Sequence, residues 1–382
     1  MRIGIVHLGR RGAGGPISFE MATRLSAREQ VLAVLSTQLE GLDVWQKSGL
    51  ELLTTATYRS TAGAVLAWLN HIQLHRLASR IRAWKPDVLL YPLFYTLNPF
   101  LQMHLGGIPS VVAVHDPQPH PGLRDRAYHF IENLSIRQAT RCYILSEAFR
   151  VPLQRRGVAP ERIDYIPLPD LSYYRRFTAP GGISTIQNPD EIPILLFFGR
   201  ITAYKGLEVL LQAYRQIHGH RPVRLLIAGD GDLRPYQPLL EGLPDVEITN
   251  RWIEESEIHT FFERARLLVA PYISASQSGV IAIAAGFGLP VVATHTGGLP
   301  EQVQHEVTGI LVSPGSVNEL VKAIEGLLDD PVRADALGQR LREDTLDHRN
   351  WDRITALVGE ACVKAIAMSS IADDPTKSNP RC

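Results

Sequence analysis

At 382 residues the chain is too long for one ordinary core and fits two domains. A composition of 45% hydrophobic and 20% charged residues excludes a fibrous or disordered protein, and no apolar run nears the ~20 residues of a membrane-spanning helix. Net charge is zero, with 39 Lys+Arg against 39 Asp+Glu, so no nucleic-acid partner is expected.

The chain opens with RIGIVHLG, which reads as a strand and not as a leader peptide, since it lacks a small-residue cleavage site. A glycine loop, RRGAGGP, follows, and then ISFEMATRLSAREQ, read as a helix. The charge balance is uneven: residues 1–172 hold 19 Lys+Arg and 13 Asp+Glu. The stretch from Leu52 to Pro86 has no acid but carries Arg59, Arg76, Arg80, Arg82 and Lys85, with Trp68 and Trp84. Such a helix can rest on an anionic membrane, giving peripheral contact through 59–85, or can pack its apolar side in the core. Both readings stay open, with packing favoured.

Three apolar runs ending in turn signals read as buried parallel strands: DVLLYPL (87–93), PSVVAVHD (109–116) and RCYILSE (141–147). Residues 173–192, rich in Pro, Gly, Asn and Ser, read as a linker. The second half repeats the alternation with PILLFFG, VRLLIAGDG, VEIT, RLLVAPY and PVVAT, separated by helical segments. WDRITALVGEACVKAIAM (351–368) reads as a final amphipathic helix, and 369–382 as a disordered tail. Cys142, Cys362 and Cys382 are far apart and odd in number, so neither a disulfide framework nor a zinc site is expected, and the setting is read as cytoplasmic.

The run LLFFGRITAYKG (195–206) carries the sharpest chemistry. A buried strand ends at Gly199–Arg200, and Lys205–Gly206 follow before a helical segment. Two cations at the carboxyl edge of a strand in an open α/β sheet stand where such sheets bind ligands. Arginine grips oxygens in pairs and lysine adds a point charge, which suits a diphosphate.

An ordered series then carries a resemblance: FFGRITAYKG (197–206), LLIAGDGDLRP (225–235), the RLLVAPY strand, GFGLPVVATHTGGLPEQV (286–303) and TGILVSPG (308–315). The series resembles the retaining nucleotide-sugar glycosyltransferases of the GT-B fold, family four, also called glycosyl transferases group 1. GAGGP (12–16) and VVAVHD (111–116) match more loosely. The resemblance implies an α/β protein of two Rossmann-like doubly wound domains facing across a cleft. Residues 1–172 would bind the acceptor and 193–350 the sugar nucleotide, with helix 351–368 crossing back to the first domain.

The resemblance also implies roles. Arg200 and Lys205 would hold the donor diphosphate. Gly279 would begin a helix whose free N–H groups face the same phosphates, with Gly199 and Val280 beside them. Gly14 and Gly15 would let the first loop approach the donor. Ile253 would lie near the base. His115 would contact the sugar or assist proton transfer, with Asp116 on the acceptor side; the plain alternative is a strand-end histidine with Asp116 capping a turn. Glu301 either caps a helix or touches the donor.

One departure stands out. Relatives carry two glutamates near the positions of Ala275 and Ile283, yet no Asp or Glu occurs between Glu263 and Glu301. Ser276, Gln277 and Ser278 offer neutral hydroxyl and amide groups instead. Asp230–Gly231–Asp232 reads as a strand-end turn and not as a metal pair. The chain is therefore expected to be a metal-independent glycosyltransferase without a cofactor. It would move a sugar from a nucleoside diphosphate to a saccharide or lipid-linked acceptor. A non-catalytic sugar-nucleotide-binding protein and a sugar-nucleotide epimerase remain as alternatives.

Overall fold

The computed structural model describes residues 1–58, 63, 67–68, 70–116, 126–178 and 192–372. The chain folds as two units, and each is described by itself. The first takes the described residues up to Pro167 together with the segment from Trp351; the second is Leu168–Asn350.

In the first unit seven strands form one parallel sheet: β1 (Arg2–His7), β2 (Gln30–Ser36), β3 (Glu51–Thr55), β4 (Val88–Tyr91), β5 (Ser110–Val114), β6 (Arg141–Ile144) and β7 (Ile163–Tyr165), in the order β3-β2-β1-β4-β5-β6-β7. Strands β4, β5 and β6 are buried along their length and apolar apart from Ser110 and Arg141 at their starts, as helices on both faces demand. Strand order reverses between β1 and β4, so the loops after these strands flank a ligand-binding switch point.

The first helix runs Gly14–Leu25, shorter at its end and earlier at its start than ISFEMATRLSAREQ suggests. The chain turns after Leu25, and Gln30 already pairs with Arg2 as the start of β2. The helix His71–Ala83 is capped by Asn70, whose Oδ1 accepts from Gln73 N at 3.1 Å. Its apolar residues Leu74, Leu77, Ala78 and Ile81 are buried, so the packing reading of the basic stretch holds here. Trp84 Nε1 donates to Glu51 at 2.6 Å, and Trp68 stacks on Phe100 at 5.7 Å. Arg59 lies outside the described residues.

The final helix extends over Trp351–Ala372. It buries Trp351, Ile354, Val358, Ala361, Cys362 and Ala365 and packs against the Gly14–Leu25 helix and against β4 and β5. Residues 369–372, expected in a disordered tail, continue this helix; the rest of that tail lies outside the described residues. An ion pair ties the helix to the sheet edge. Arg141 donates to Asp164 through Nε at 2.7 Å and Nη2 at 2.9 Å, Nη1 contacts Met368 Sδ at 3.0 Å, and Lys364 Nζ reaches Asp164 at 3.4 Å.

In the second unit six strands form another parallel sheet: β8 (Ile194–Phe198), β9 (Arg224–Ala228), β10 (Val246–Thr249), β11 (Leu267–Ala270), β12 (Val291–Thr294) and β13 (Ile310–Val312), ordered β10-β9-β8-β11-β12-β13. The switch point falls between β8 and β11. The helix Leu207–His218 buries Leu207, Leu210, Leu211, Tyr214 and Ile217, an i, i+3, i+4 face that packs against the helix Val317–Asp329. Residues 173–177, read as the start of a linker, belong to the 3-10 helix Ser172–Phe177, which packs on the helix Gly279–Phe287. Linker residues 179–191 lie outside the described residues.

Removing one partner from the Arg141–Asp164 pair strands a buried charge, since the side chains are only 8% and 11% exposed. Asp164→Ala is expected to cost about 3–5 kcal/mol of stability in urea unfolding; a cost near zero would show that water replaces the carboxylate.

Candidate functional site

The loop after β8 begins at Gly199, and Arg200 beside it is exposed. Ile201 N donates to Asp230 O at 2.8 Å, which ties this loop to the one after β9. Ala203–Lys205 make one 3-10 turn, and Gly206 ends it at φ 71°, where a side chain is strained. A Cβ at Gly206 would also stand 1.9 Å from Pro271 O, so only glycine lets the loops after β8 and β11 meet. Ile273 N then donates to Tyr204 O at 2.8 Å.

Lys205 Nζ lies 3.8 Å from the centroid of the Tyr272 ring, a cation–π contact. Among the described residues no carboxylate pairs with Arg200, which is exposed, or with Lys205, which is half-buried. The helix Gly279–Phe287 starts from the loop after β11, beside them: a Cβ at Gly199 would lie 3.4 Å from Val280 Cγ2. Ser278 caps this helix, its Oγ accepting from Ile281 N at 3.3 Å. Gln302, itself buried, grips the backbone of Ser278: Oε1 accepts from Ser278 N at 2.6 Å and Nε2 donates to Ser278 O at 3.0 Å.

Gly199, Arg200 and Lys205 thus lie in the loop after β8, and Gly279 and Val280 at the helix start after β11, on the two sides of the switch point, with Gly199 against Val280. Ser276 and Gln277 lie in the same loop but are 3% and 8% exposed. Ser278, read as a sugar-facing hydroxyl, is a correction of role: its Oγ and both backbone polar groups are spent on the cap and on Gln302. Glu301 sits in the first turn of the helix Leu299–Gln302, whose cap residue is Gly298 and not a side chain. Ile253 is buried after β10, two strands removed from β8. Asp232 is held by Arg234 at 2.7 and 2.9 Å, and these hydrogen bonds lower its carboxyl to about 2. No group of three or more metal-ligating side chains occurs among the described residues.

In the first unit His115 and Asp116 follow β5, with Nδ1···Oδ2 at 2.8 Å. Nearby Glu132 is buried, and burial raises its carboxyl despite Arg156 at 2.8 Å. Asp116 adds to that rise. Gly14 and Gly15 are not in a loop: they form the first turn of their helix and are buried. The close approach at Gly14 is to the protein itself, for a Cβ there would lie 2.4 Å from Tyr95 Oη and 2.9 Å from His7 Cε1. His7 is fully buried at the end of β1, with Ser18 Oγ at 3.0 Å and the Tyr95 ring edge-on at 4.9 Å. Burial pushes its imidazole down to about 3. Sequence reasoning missed His7, Ser18, Tyr95, Tyr272 and Gln302. Only the strand-end position of His7 could have flagged it, because Tyr95 is 88 residues away in the chain.

Residues 192–330 match the family described as glycosyl transferases group 1, and residues 13–169 match the glycosyl transferase 4-like domain. The second half thus belongs to the group 1 glycosyl transferases, and the first half matches a glycosyl transferase domain as well. The chain is 29% identical over 169 residues to an uncharacterized glycosyltransferase of Methanocaldococcus jannaschii, a match that spans 43% of this chain and 43% of that protein. It is 26% identical over 380 residues to the D-inositol 3-phosphate glycosyltransferase of Mycolicibacterium paratuberculosis, covering 92% of this chain and 81% of that one. Among solved structures, Anabaena HepE in complex with UDP-glucose superposes with a TM-score of 0.73 at 17% identity, over 95% of this chain and 99% of that one. The two parallel sheets are those of the GT-B glycosyltransferase fold.

A histidine whose folded value lies near 3 against 6.5 unfolded contributes stability that is complete above pH 6.5 and lost as pH falls towards 3. His7→Gln should remove from that window a slope of about 1.4 kcal/mol per pH unit, read as unfolding free energy in urea at pH 7, 6, 5 and 4. Equal slopes in both proteins would show that His7 takes up a proton while folded.

Proposed function

We propose that this protein is a retaining, metal-independent glycosyltransferase. It transfers a hexosyl group from a nucleoside diphosphate sugar to an acceptor hydroxyl, in the assembly of a polysaccharide or glycolipid. The observation that carries this reading is the pair Arg200 and Lys205, set at the switch point without carboxylate partners among the described residues and beside the start of the Gly279 helix.

The chemistry follows from charge. As the bond between the anomeric carbon and the diphosphate breaks, its electron pair goes to the diphosphate and the sugar becomes oxocarbenium-like. Fixed cations and helix N–H groups favour that state over the intact donor, which is the condition for catalysis. The acceptor oxygen bonds the anomeric carbon from the face the diphosphate leaves, and a diphosphate oxygen takes its proton. No strong enzymic base is then required and the configuration is retained. His115, with Asp116, is assigned to the sugar and acceptor side, and Ser276 and Gln277 to neutral recognition of the donor. Contact with an anionic membrane rests on charge alone: Arg76 and Arg80 are exposed, whereas the apolar face of their helix is spent in the core.

Calorimetric titration with UDP, GDP, ADP and dTDP in EDTA tests the reading. One nucleotide should bind selectively, and Lys205→Ala should weaken it by about 1.5–3 kcal/mol, the worth of a charged hydrogen bond. No binding by any of the four, or an unchanged affinity in Lys205→Ala, would remove the diphosphate from this loop. Asp232→Asn should bind as wild type does; a loss would return a metal to the mechanism.

A further inference from the structure

The Lys205 side chain is held in an unusual way for a cation that must meet an anion. A lysine fixed by a carboxylate is well placed but neutralised, and the bound anion must compete with that carboxylate. Here the fixing group is the face of Tyr272, 3.8 Å from Nζ, with the Tyr204 ring further off at 5.6 Å. An aromatic face attracts the ammonium through its quadrupole yet leaves its full charge and its N–H donors for a ligand.

Tyr272 is itself fixed on several sides. It is 1% exposed. Its carbonyl accepts from Thr294 Oγ1 at 2.6 Å, which ties it to the end of β12. Its hydroxyl lies 3.2 Å from Ser278 Oγ, the atom that caps the Gly279 helix. Its neighbour Ile273 is bonded to Tyr204 across the two loops. One ring therefore touches both elements that would meet a diphosphate, the lysine on its face and the helix cap at its hydroxyl. The sequence from Arg264 to Pro300 holds no acid that could take over either task.

From this geometry we infer that Tyr272 is the positioning residue of the anion site: its ring sets Lys205, and its hydroxyl sets the cap of the helix that opens at Gly279. The inference rests on the diphosphate reading above and adds a residue that touches no ligand but fixes two groups that do.

A double-mutant cycle tests it, with UDP as the probe and inorganic pyrophosphate as a base-independent one, both by calorimetry. Tyr272→Leu is expected to weaken binding by about 3- to 30-fold, the range of a cation–π contact. In a Lys205→Ala background the same change should cost clearly less than in the wild type, because the lysine it placed is gone and only the hydroxyl's hold on the helix cap is lost. Tyr272→Phe keeps the ring and should retain the contribution of Lys205. A merely structural tyrosine would weaken binding equally in both backgrounds, and that additive result overturns the inference. Should Tyr272→Leu fail to fold, the wild-type protein still decides: the Lys205 Cε protons, assigned by their absence in Lys205→Ala, must resonate upfield from the ring current. An unshifted lysine signal overturns the inference. If neither probe binds wild type, the diphosphate reading falls and the inference with it. If both bind and Lys205→Ala weakens them but Tyr272→Leu does not, only the inference falls.

Discussion

Holding positive charge still without neutralising it is the constraint on which the second unit depends. Two like charges near one loop repel, and the usual remedy of an adjacent carboxylate would cancel the field they supply. The chain meets this with geometry. Gly206 allows the loops after β8 and β11 to come within a backbone's width. The Tyr272 ring takes the lysine, Ser278 closes the helix start, and Gln302 locks Ser278 from behind. Each step is local, and together they place charge and helix N–H groups at the one position where strand order reverses.

The first unit solves the corresponding position differently. Its switch point, between β1 and β4, is filled from within: the Tyr95 ring stands against Gly14, and His7 lies beneath with Ser18. Burial keeps that imidazole neutral at ordinary pH, so the region offers no cation of its own from this group. Polar chemistry in this unit lies instead after β5, where His115 pairs with Asp116 near the buried Glu132. The two sheets share an architecture, yet one edge carries Arg200 and Lys205 beside a helix start and the other packs its glycine turn against a tyrosine.

How much of this was legible in the sequence depends on range. Strands such as LLVA in β11 and VVAT in β12 are short apolar runs closed by turn residues, and local pattern suffices to place them. Arg200 and Lys205 were readable because they follow a buried strand directly. The helix end at Leu25 was misread, because SAREQ has helical composition and only the pairing of Gln30 with Arg2 makes it a turn and a strand start. The Ser278 hydroxyl looks free in a loop, but it caps the helix at Ile281 N and meets Tyr272 Oη; the hold of Gln302 on the Ser278 backbone spans 24 residues and is invisible locally. The roles of Tyr95 and Tyr272 depend on tertiary contacts of the same kind.

The missing glutamates take on a physical meaning in this setting. A carboxylate in the loop 273–279 would stand close to Lys205 and to the start of the Gly279 helix, and would draw on the same positive field that a diphosphate uses. Its absence leaves that field undivided. A loop built from buried Ser276, Gln277 and Ser278 is neutral, so it contributes shape and hydrogen-bonding groups but no charge. On the proposed reading, recognition of a donor sugar by such a loop would depend on fit, and the grip on its diphosphate on Arg200, Lys205 and the helix. On that reading the two tasks are separated: the cations and the helix start would anchor the diphosphate, and the neutral loop would be left to discriminate among the sugars attached to it.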